Sequence, residues 1–170
     1  MAKGRDHDRA TALACIPFGL VVMPVLGIPA GCIAGLCFLI GGLWLSPDLD
    51  TRSKPLHRWG PLRVIWWPYR RLIPHRSLFS HGPLIGMSLR VLWLVAVGLL
   101  AWLLLRSIPG LGIPDLNTLS ATLQKLVQQH PGSVMAAVLG LEASVWLHLL
   151  LDGAPLPMEW HRHRRQSKRR

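Results

Sequence analysis

Histidine and aspartate side chains occur in four short groups along the chain, and each group adjoins a long apolar run. The groups are His7 with Asp8, Asp48 with Asp50, His75 with His81, and His148 with Asp152. Imidazole nitrogens and carboxylate oxygens together suit borderline divalent metals such as Zn²⁺, and Mn²⁺ and Fe²⁺ also accept them. We therefore expect a metal site wherever folding brings these groups together.

The spacing within each group indicates how it presents its ligands. His148 and Asp152 are four residues apart in a predicted helix, so both lie on one helix face and can hold one ion or bridge two. The aspartates of SPDLD follow a proline at a helix end, whereas the histidines of HRSLFSHGP need a loop to shape them. The alternative for each group taken alone is structural, because an aspartate such as Asp6 or Asp8 before a helix often serves as an N-cap.

The composition indicates which elements position these groups. Of the 170 residues, 51% are hydrophobic and only 16% are charged, and the mean hydropathy is +0.34. This chain is too apolar for an ordinary soluble domain. We expect an all-α fold, a polytopic membrane helical bundle with about four transmembrane helices.

Four apolar runs are candidate spans. Residues 10–47 carry no charge, and as one helix they would measure roughly 57 Å, far more than a bilayer core of about 30 Å. A break at Gly27–Gly31 divides them into spans at about 11–26 and 30–46. Pro17 and Pro24 weaken the first span, so a shallow or kinked hairpin is the alternative. Residues 84–105 and 134–151 form the third and fourth spans.

A short amphipathic helix is predicted between the last two spans. Leucines and a valine recur there at helical spacing beside polar residues, at Leu116, Leu119, Leu123, Leu126 and Val127. Such a helix lies on the membrane surface. The alternative is a simple surface loop. The basic and aromatic segment 58–74 is likewise expected at the interface, with Trp44, Trp59, Trp66 and Trp67 at the membrane boundary.

Basic residues predict the orientation. Sixteen of the nineteen lysines and arginines lie in the amino-terminal segment, the loop 46–81 and the tail. Four crossings put these segments, and all four metal-ligand groups, on one side. By the positive-inside rule that side is cytoplasmic, so we expect a bacterial inner-membrane protein with cytoplasmic termini and a cytoplasmic metal site. Residues 1–160 form its single integral-membrane domain, and 161–170 form a basic tail.

Partners are expected to be membrane lipids. The tail HRHRRQSKRR is suited to anionic headgroups. Nucleic acid is not expected, because the basic tail has no interleaved aromatic residues and no recognisable module. The three cysteines, Cys15, Cys32 and Cys37, lie inside predicted spans and are expected to be small buried hydrophobes.

The order of motifs resembles that of a known family. His7-Asp8-Arg9, SPDLD, HRWG, HRSLFSHGP and HLLLD follow one another as in small four-pass membrane proteins described as metal-binding, over about residues 4–153. The chain is similar, more distantly, to the YdjM-type membrane-bound metal-dependent hydrolases, although Thr51 stands where those sequences often have a further histidine. The resemblance implies a membrane-embedded metal site made of His7, Asp48, Asp50, His75, His81, His148 and Asp152.

Two function classes lead. One is a metal-dependent hydrolase of a phosphoester or lipid-linked substrate, with one or two divalent ions, two being about 3.5 to 4 Å apart, activating water. Asp8 or Asp50 would take the proton, Arg76 and Arg9 would neutralise charge on the phosphate, and Ser77 or Ser80 would hydrogen-bond it. The topology alone also explains arginines at this face. The other class is non-catalytic metal binding by a sensor, chaperone or assembly factor; a transporter is a third.

Arg90 and Glu142 are charges inside predicted spans. Both are expected roughly 13 to 15 Å below the surface that carries the metal ligands. An ion pair joining the third and fourth helices is the first interpretation, because an isolated charge in hydrocarbon is costly. The alternatives are a proton or ion pathway and the floor of the metal pocket.

Overall fold

Every regular element is helical in the computed structural model, which describes residues 4–75 and 77–153. The helices are α1 Gly4–Leu26, α2 Ile28–Leu43, α3 Lys54–Arg58, α4 Trp66–Leu72, α5 Leu78–His81, α6 Ile85–Arg106, α7 Leu116–Gln129 and α8 Pro131–Leu151. Two 3-10 segments, Pro47–Asp50 and Gly60–Ile65, lie between them. The predicted all-α class is confirmed.

Four helices are long and apolar enough to cross a membrane, as predicted. They are α1, α6, α8 and a second segment that runs from Ile28 through the 3-10 turn to Asp50. The first helix begins at Gly4, earlier than the apolar run, so His7 and Asp8 lie inside it and do not precede it. No proline or glycine interrupts residues 5–16, so the helix extends into its polar end.

The first two helices form a tight hairpin. Gly27 separates them with φ +88°, a left-handed conformation that glycine adopts without a steric cost, and Pro29 stands in the first turn of α2, where a proline needs no hydrogen bond. The helices then approach closely, because a Cβ on Gly19 would lie 2.8 Å from the Gly31 carbonyl oxygen. The predicted break is confirmed, and Pro17 and Pro24 are accommodated inside α1.

The helices α1, α2 and α8 pack together over most of their length. Small buried residues at their contact, Ala30, Ala34 and Ala136, join Val22 in one apolar cluster. A Cβ on Gly140 of α8 would meet the backbone of Ala34 and Phe38 in α2. Small residues let helix backbones approach in this way, as is usual in membrane bundles.

A second apolar cluster lies at the polar end of the bundle. It joins the 3-10 turn, α3, α4, α6 and α8 through Leu45, Leu49, Leu56, Trp66, Tyr69, Met87, Val145 and Leu149. Trp66 is fully buried, with its ring edge-on to Trp59 and Tyr69. Trp66 therefore does not face outward; its ring packs between short helices that the sequence pattern did not reveal, and its location at the membrane boundary stays a prediction.

Helices α6 and α7 bury fewer residues within the protein than α1, α2 and α8 do. The buried residues of α6 are Gly86, Met87 and Arg90, all near its amino-terminal end. The α7 helix has no buried residue, and Asp115 caps it by accepting a hydrogen bond from the Thr118 amide at 2.7 Å. The predicted helix is present, and its location on a membrane surface stays a prediction.

Candidate metal centre

All seven predicted ligands lie together at one end of the bundle. His7 comes from α1, Asp48 and Asp50 from the 3-10 turn, His75 and His81 from either end of the α5 region, and His148 and Asp152 from the end of α8. Four of them are buried, namely His7, Asp50, His81 and His148. The His75 side chain is 45% exposed and that of Asp48 is 30% exposed, so these two line the open side.

Histidines and aspartates alternate along this cluster. Asp152 lies between His7 and His148, with oxygen-to-nitrogen distances of 3.1 and 3.6 Å. Asp48 Oδ1 lies 3.7 Å from His148 Nε2 and 3.8 Å from His81 Nε2. Asp50 continues the row, 3.6 Å from His81 Nδ1 and 2.9 Å from His75 Nδ1. Three carboxylates thus bridge four imidazoles, and we call this set the His–Asp row.

The row contains three overlapping sets of candidate ligands. Each set has two histidines and one aspartate, with one ligand atom from each residue within 4.8 Å of the others. The sets are His7, His148 and Asp152; Asp48, His81 and His148; and Asp50, His75 and His81. The outer two share no residue, whereas the central set takes one histidine from each.

Unpartnered buried atoms indicate that these residues fit a cation. His81 Nε2, His148 Nε2, His7 Nδ1 and Asp50 Oδ2 are buried and have no hydrogen-bond partner among the described residues, although buried polar atoms are nearly always paired. The oxygen-to-nitrogen distances from Asp48 to His81 and His148, and from Asp152 to His148, are 3.6 to 3.8 Å. These distances are too long for hydrogen bonds. Ligand atoms bound to tetrahedral Zn²⁺ at about 2.0–2.1 Å lie about 3.4 Å apart. The donor set and its spacing therefore suit a divalent ion.

Two serines support the central histidines from behind. Ser80 Oγ lies 2.9 Å from His81 Nδ1, and Ser46 Oγ lies 3.5 Å from His148 Nδ1. Such contacts at the second ring nitrogen orient a histidine that binds metal through the first. Ser80 is fully buried, which does not fit the expected contact between its hydroxyl and a phosphate. Sequence reasoning missed Ser46, whose position just before the SPDLD proline is the signal for a capping serine.

Local hydrogen bonds fix the loops that carry the ligands. Ser46 Oγ accepts a hydrogen bond from the Asp48 amide at 3.4 Å, and the hydroxyls of Thr51 and Ser53 donate to the Asp48 carbonyl at 3.0 and 2.8 Å. Ser77 and Ser80 form a capping box that begins α5. These short-range bonds turn the chain so that Asp48 and Asp50 both meet the row.

Comparison with known proteins agrees with this donor set. A family described as "Uncharacterized metal-binding protein (DUF2227)" matches residues 2–164, nearly the whole chain. The chain belongs to the DUF2227 family. An uncharacterized protein of Aquifex aeolicus (strain VF5) is 38% identical over 61 residues, which is 35% of this chain and 43% of that relative. The chain thus matches less than half the length of that relative. No solved structure matches the chain.

The family description supports the predicted metal-binding class. It gives no activity and no metal, so hydrolysis, zinc and the likeness to YdjM-type hydrolases stay predictions.

The two predicted catalytic residues have different outcomes. Asp8 faces away from the row, with Oδ2 2.6 Å from Arg58 Nη2 and 3.6 Å from Lys54 Nζ. Arg76 lies outside the described residues, and so does the tail 161–170. Their functional roles stay predictions. The other nearby histidine, His57, contacts the Ser53 carbonyl at 2.7 Å and is not in the row.

The predicted ion pair between Arg90 and Glu142 is wrong. Arg90 Nη1 donates to the Ser80 carbonyl at 2.6 Å, and Glu142 Oε1 accepts from the Leu84 amide at 2.6 Å. Leu84 has a left-handed φ of 61°, which leaves its amide free for Glu142. Each charge is therefore bound to the backbone of the loop that leads into α6. Arg90 thus contacts the residue that precedes His81, and the alternative that Arg90 and Glu142 form the floor of the metal pocket stays a prediction.

Proposed function

We propose that the protein binds one or two divalent ions in the His–Asp row and acts as a membrane-embedded, metal-dependent hydrolase. The proposed substrate is a phosphoester of a lipid or a lipid-linked molecule at the cytoplasmic surface. The observation that carries the proposal is the row itself, in which three buried imidazole nitrogens lack a hydrogen-bond partner within the part of the chain that the structure describes. Membership of a family described as metal-binding supports its first part.

The arrangement offers two ways to hold ions. Two ions can be bound at once by the outer sets, because His7, His148 and Asp152 share no residue with Asp50, His75 and His81. A single ion can instead take the central set around Asp48. When bound, such divalent ions activate water and polarise a phosphoryl oxygen. Zn²⁺ is the proposed ion, with Mn²⁺ and Fe²⁺ as alternatives, since all three accept imidazole and carboxylate ligands.

The chain's own residues would handle the proton and the negative charge. Asp8 and Arg76 are proposed for these tasks from the sequence, Asp8 as proton acceptor and Arg76 as the partner of the phosphate. The geometry adds Asp48 as a second proton acceptor, because its carboxylate is partly exposed whereas that of Asp50 is enclosed. The Asp8 carboxylate contacts Arg58 and Lys54, so it would have to leave these partners to accept a proton from water in the row.

The position of the row argues for a lipid-linked substrate. It lies at one end of four helices that are long and apolar enough to cross a membrane, which corresponds to the depth of lipid headgroups. His75 and Asp48 are the exposed ligands, so an approaching phosphate would meet this side first. A soluble substrate would not need a site at this depth.

Metal content tests the first part of the proposal. The full chain, purified in detergent, should retain about one or two ions per molecule. His81→Ala should lose metal in either arrangement, and Asp48→Ala should lose it when a single ion takes the central set. His130→Ala is the matched control, because His130 is exposed at the start of α8 and lies outside all three ligand sets. Equal, near-zero metal in wild type and all variants would exclude a metal centre.

Turnover tests the second part. Phosphomonoesters and lipid phosphates are offered to metal-loaded protein, and activity should require both metal and Asp48. The alternative is a non-catalytic metal protein, and the burial of four of the seven ligands favours it, since structural sites are closed by protein ligands. Full metal occupancy without turnover over that panel would support the alternative and contradict the hydrolase.

A further inference from the structure

We propose that Arg90 is a positioning residue of the metal centre, which aligns His81 through the Ser80 backbone. The proposal rests on the proposed metal site. Arg90 lies in α6 and is fully buried. Its Nη1 donates to the Ser80 carbonyl at 2.6 Å, while Ser80 Oγ lies 2.9 Å from His81 Nδ1. The Arg90 guanidinium group thus binds Ser80, which precedes His81 in the chain and contacts its ring through the hydroxyl group.

The charges around Arg90 connect it with the row. Its electrostatic neighbours are Tyr69 of α4, Glu142 of α8 and Asp50 of the 3-10 turn. Asp50 is a member of the row, 3.6 Å from His81 and 2.9 Å from His75. Arg90 therefore interacts electrostatically with a carboxylate that a bound cation would also contact.

A buried arginine needs a specific reason to be retained. The Arg90 guanidinium group interacts with the Tyr69 hydroxyl, and within residues 4–75 and 77–153 its Nε has no hydrogen-bond partner. Burial raises the pKa of the Tyr69 phenol, so the ring stays neutral beside Arg90. An apolar side chain would fill this position without that desolvation. A role in holding the metal-site loop accounts for the charge.

Glycine at position 86 permits this contact. A Cβ on Gly86 would lie 2.8 Å from the Ser80 carbonyl oxygen and 3.6 Å from Arg90 Nη1. The loop of His81 therefore rests directly on the first turn of α6. The buried residues of α6 are Gly86, Met87 and Arg90. The part of α6 that contacts the loop of His81 is therefore also the part that is buried in the protein.

Cobalt binding tests the inference, because the visible spectrum of Co²⁺ reports the geometry of its ligands. The full chain in detergent is titrated with Co²⁺ as wild type and as Arg90→Met, Arg90→Gln, Arg90→Lys and Arg106→Met. Arg106, at the exposed far end of the same helix, is the matched control. We expect Arg90→Met to bind Co²⁺ about 10- to 100-fold more weakly with an altered spectrum, Arg90→Lys to recover part of the affinity, and Arg106→Met to match wild type.

The outcomes separate the two proposals. A wild-type spectrum and affinity in Arg90→Met, with helical content preserved, would overturn the positioning role and leave the metal site intact. Absence of any Co²⁺ spectrum in wild type would overturn the metal site and, with it, this inference. Should Arg90→Met fail to fold, Arg90→Gln is used instead, because its side chain ends two atoms short of the Nη1 position and loses both the charge and the contact with the Ser80 carbonyl. Wild-type binding in that variant would equally overturn the role.

Discussion

His7 Nε2 lies 3.1 Å from Asp152 Oδ1, and this side-chain contact joins α1 to the end of α8. The His7 ring also stacks on that of His148, with ring centroids 4.2 Å apart. The outer set of ligands therefore joins the two ends of the fold. An ion bound by this set would therefore also link α1 to the end of α8.

This contact predicts non-additive effects on metal affinity. His7→Ala and Asp152→Ala should each weaken metal binding about tenfold or more, since each removes a ligand from the same set. The double variant should be no weaker than the weaker single variant, because neighbours that act together are not additive. Competition with a chromophoric chelator measures the affinities, with His130→Ala as control. Strictly additive losses would show that the two residues do not share an ion.

A second prediction separates catalysis from metal binding. Asp8→Asn should leave metal content unchanged, because Asp8 belongs to none of the ligand sets. If Asp8 is the base, turnover falls about 10²- to 10⁴-fold. Loss of its partly exposed pairs with Arg58 and Lys54 should cost less than about 1 kcal/mol of stability. Unchanged turnover with full metal content would move the proton acceptor to Asp48.

A pair of glycine substitutions tests the packing of α2 against α8. Gly140→Ala should destabilise the protein by about 1–3 kcal/mol, because its new Cβ would meet backbone atoms of Ala34 and Phe38. Gly98→Ala is the matched control in α6, where a Cβ would meet nothing within 4 Å. It should be neutral or stabilise by up to about 1 kcal/mol through helix propensity. Thermal unfolding in one detergent compares them; equal effects would contradict the close helix contact.

Compartment reporters test the predicted topology. A reporter inserted at Ser53 and one fused at the carboxyl terminus should both report the cytoplasm, and one in α7 the opposite side, because basic residues concentrate near the first two positions. Opposite compartments for Ser53 and the carboxyl terminus would leave the row divided between two sides and exclude it. The three fusions should be made in the same host at matched expression.

The sequence predicted that these seven side chains lie at one end of the bundle, because that inference needs only an even number of spans. His148 and Asp152 share a helix face by their spacing, and an even number of spans brings helix starts and ends to one surface. It could not order the row, because the position of Asp48 between His81 and His148 depends on a short 3-10 turn and a capping box. Such short elements leave no hydrophobic periodicity.

The incorrect prediction of an ion pair between Arg90 and Glu142 has a related cause. Arg90 and Glu142 both bind backbone groups, the Ser80 carbonyl and the Leu84 amide. Every residue carries those groups, so nothing in the sequence marks the particular ones that a side chain will reach. Opposite charges at similar depth suggested a direct ion pair. Instead, each side chain forms a hydrogen bond with a backbone group of the loop before α6.

On the predicted topology, the one-residue turn at Gly27 would be the sole link between α1 and α2 on the outer face. Proteases, antibodies and impermeant labels would then have almost no exposed chain to bind at that turn. Within the described residues, the longer connection from Ser107 to His130 would be the accessible segment on the same face. Epitope insertion should therefore be directed to that connection.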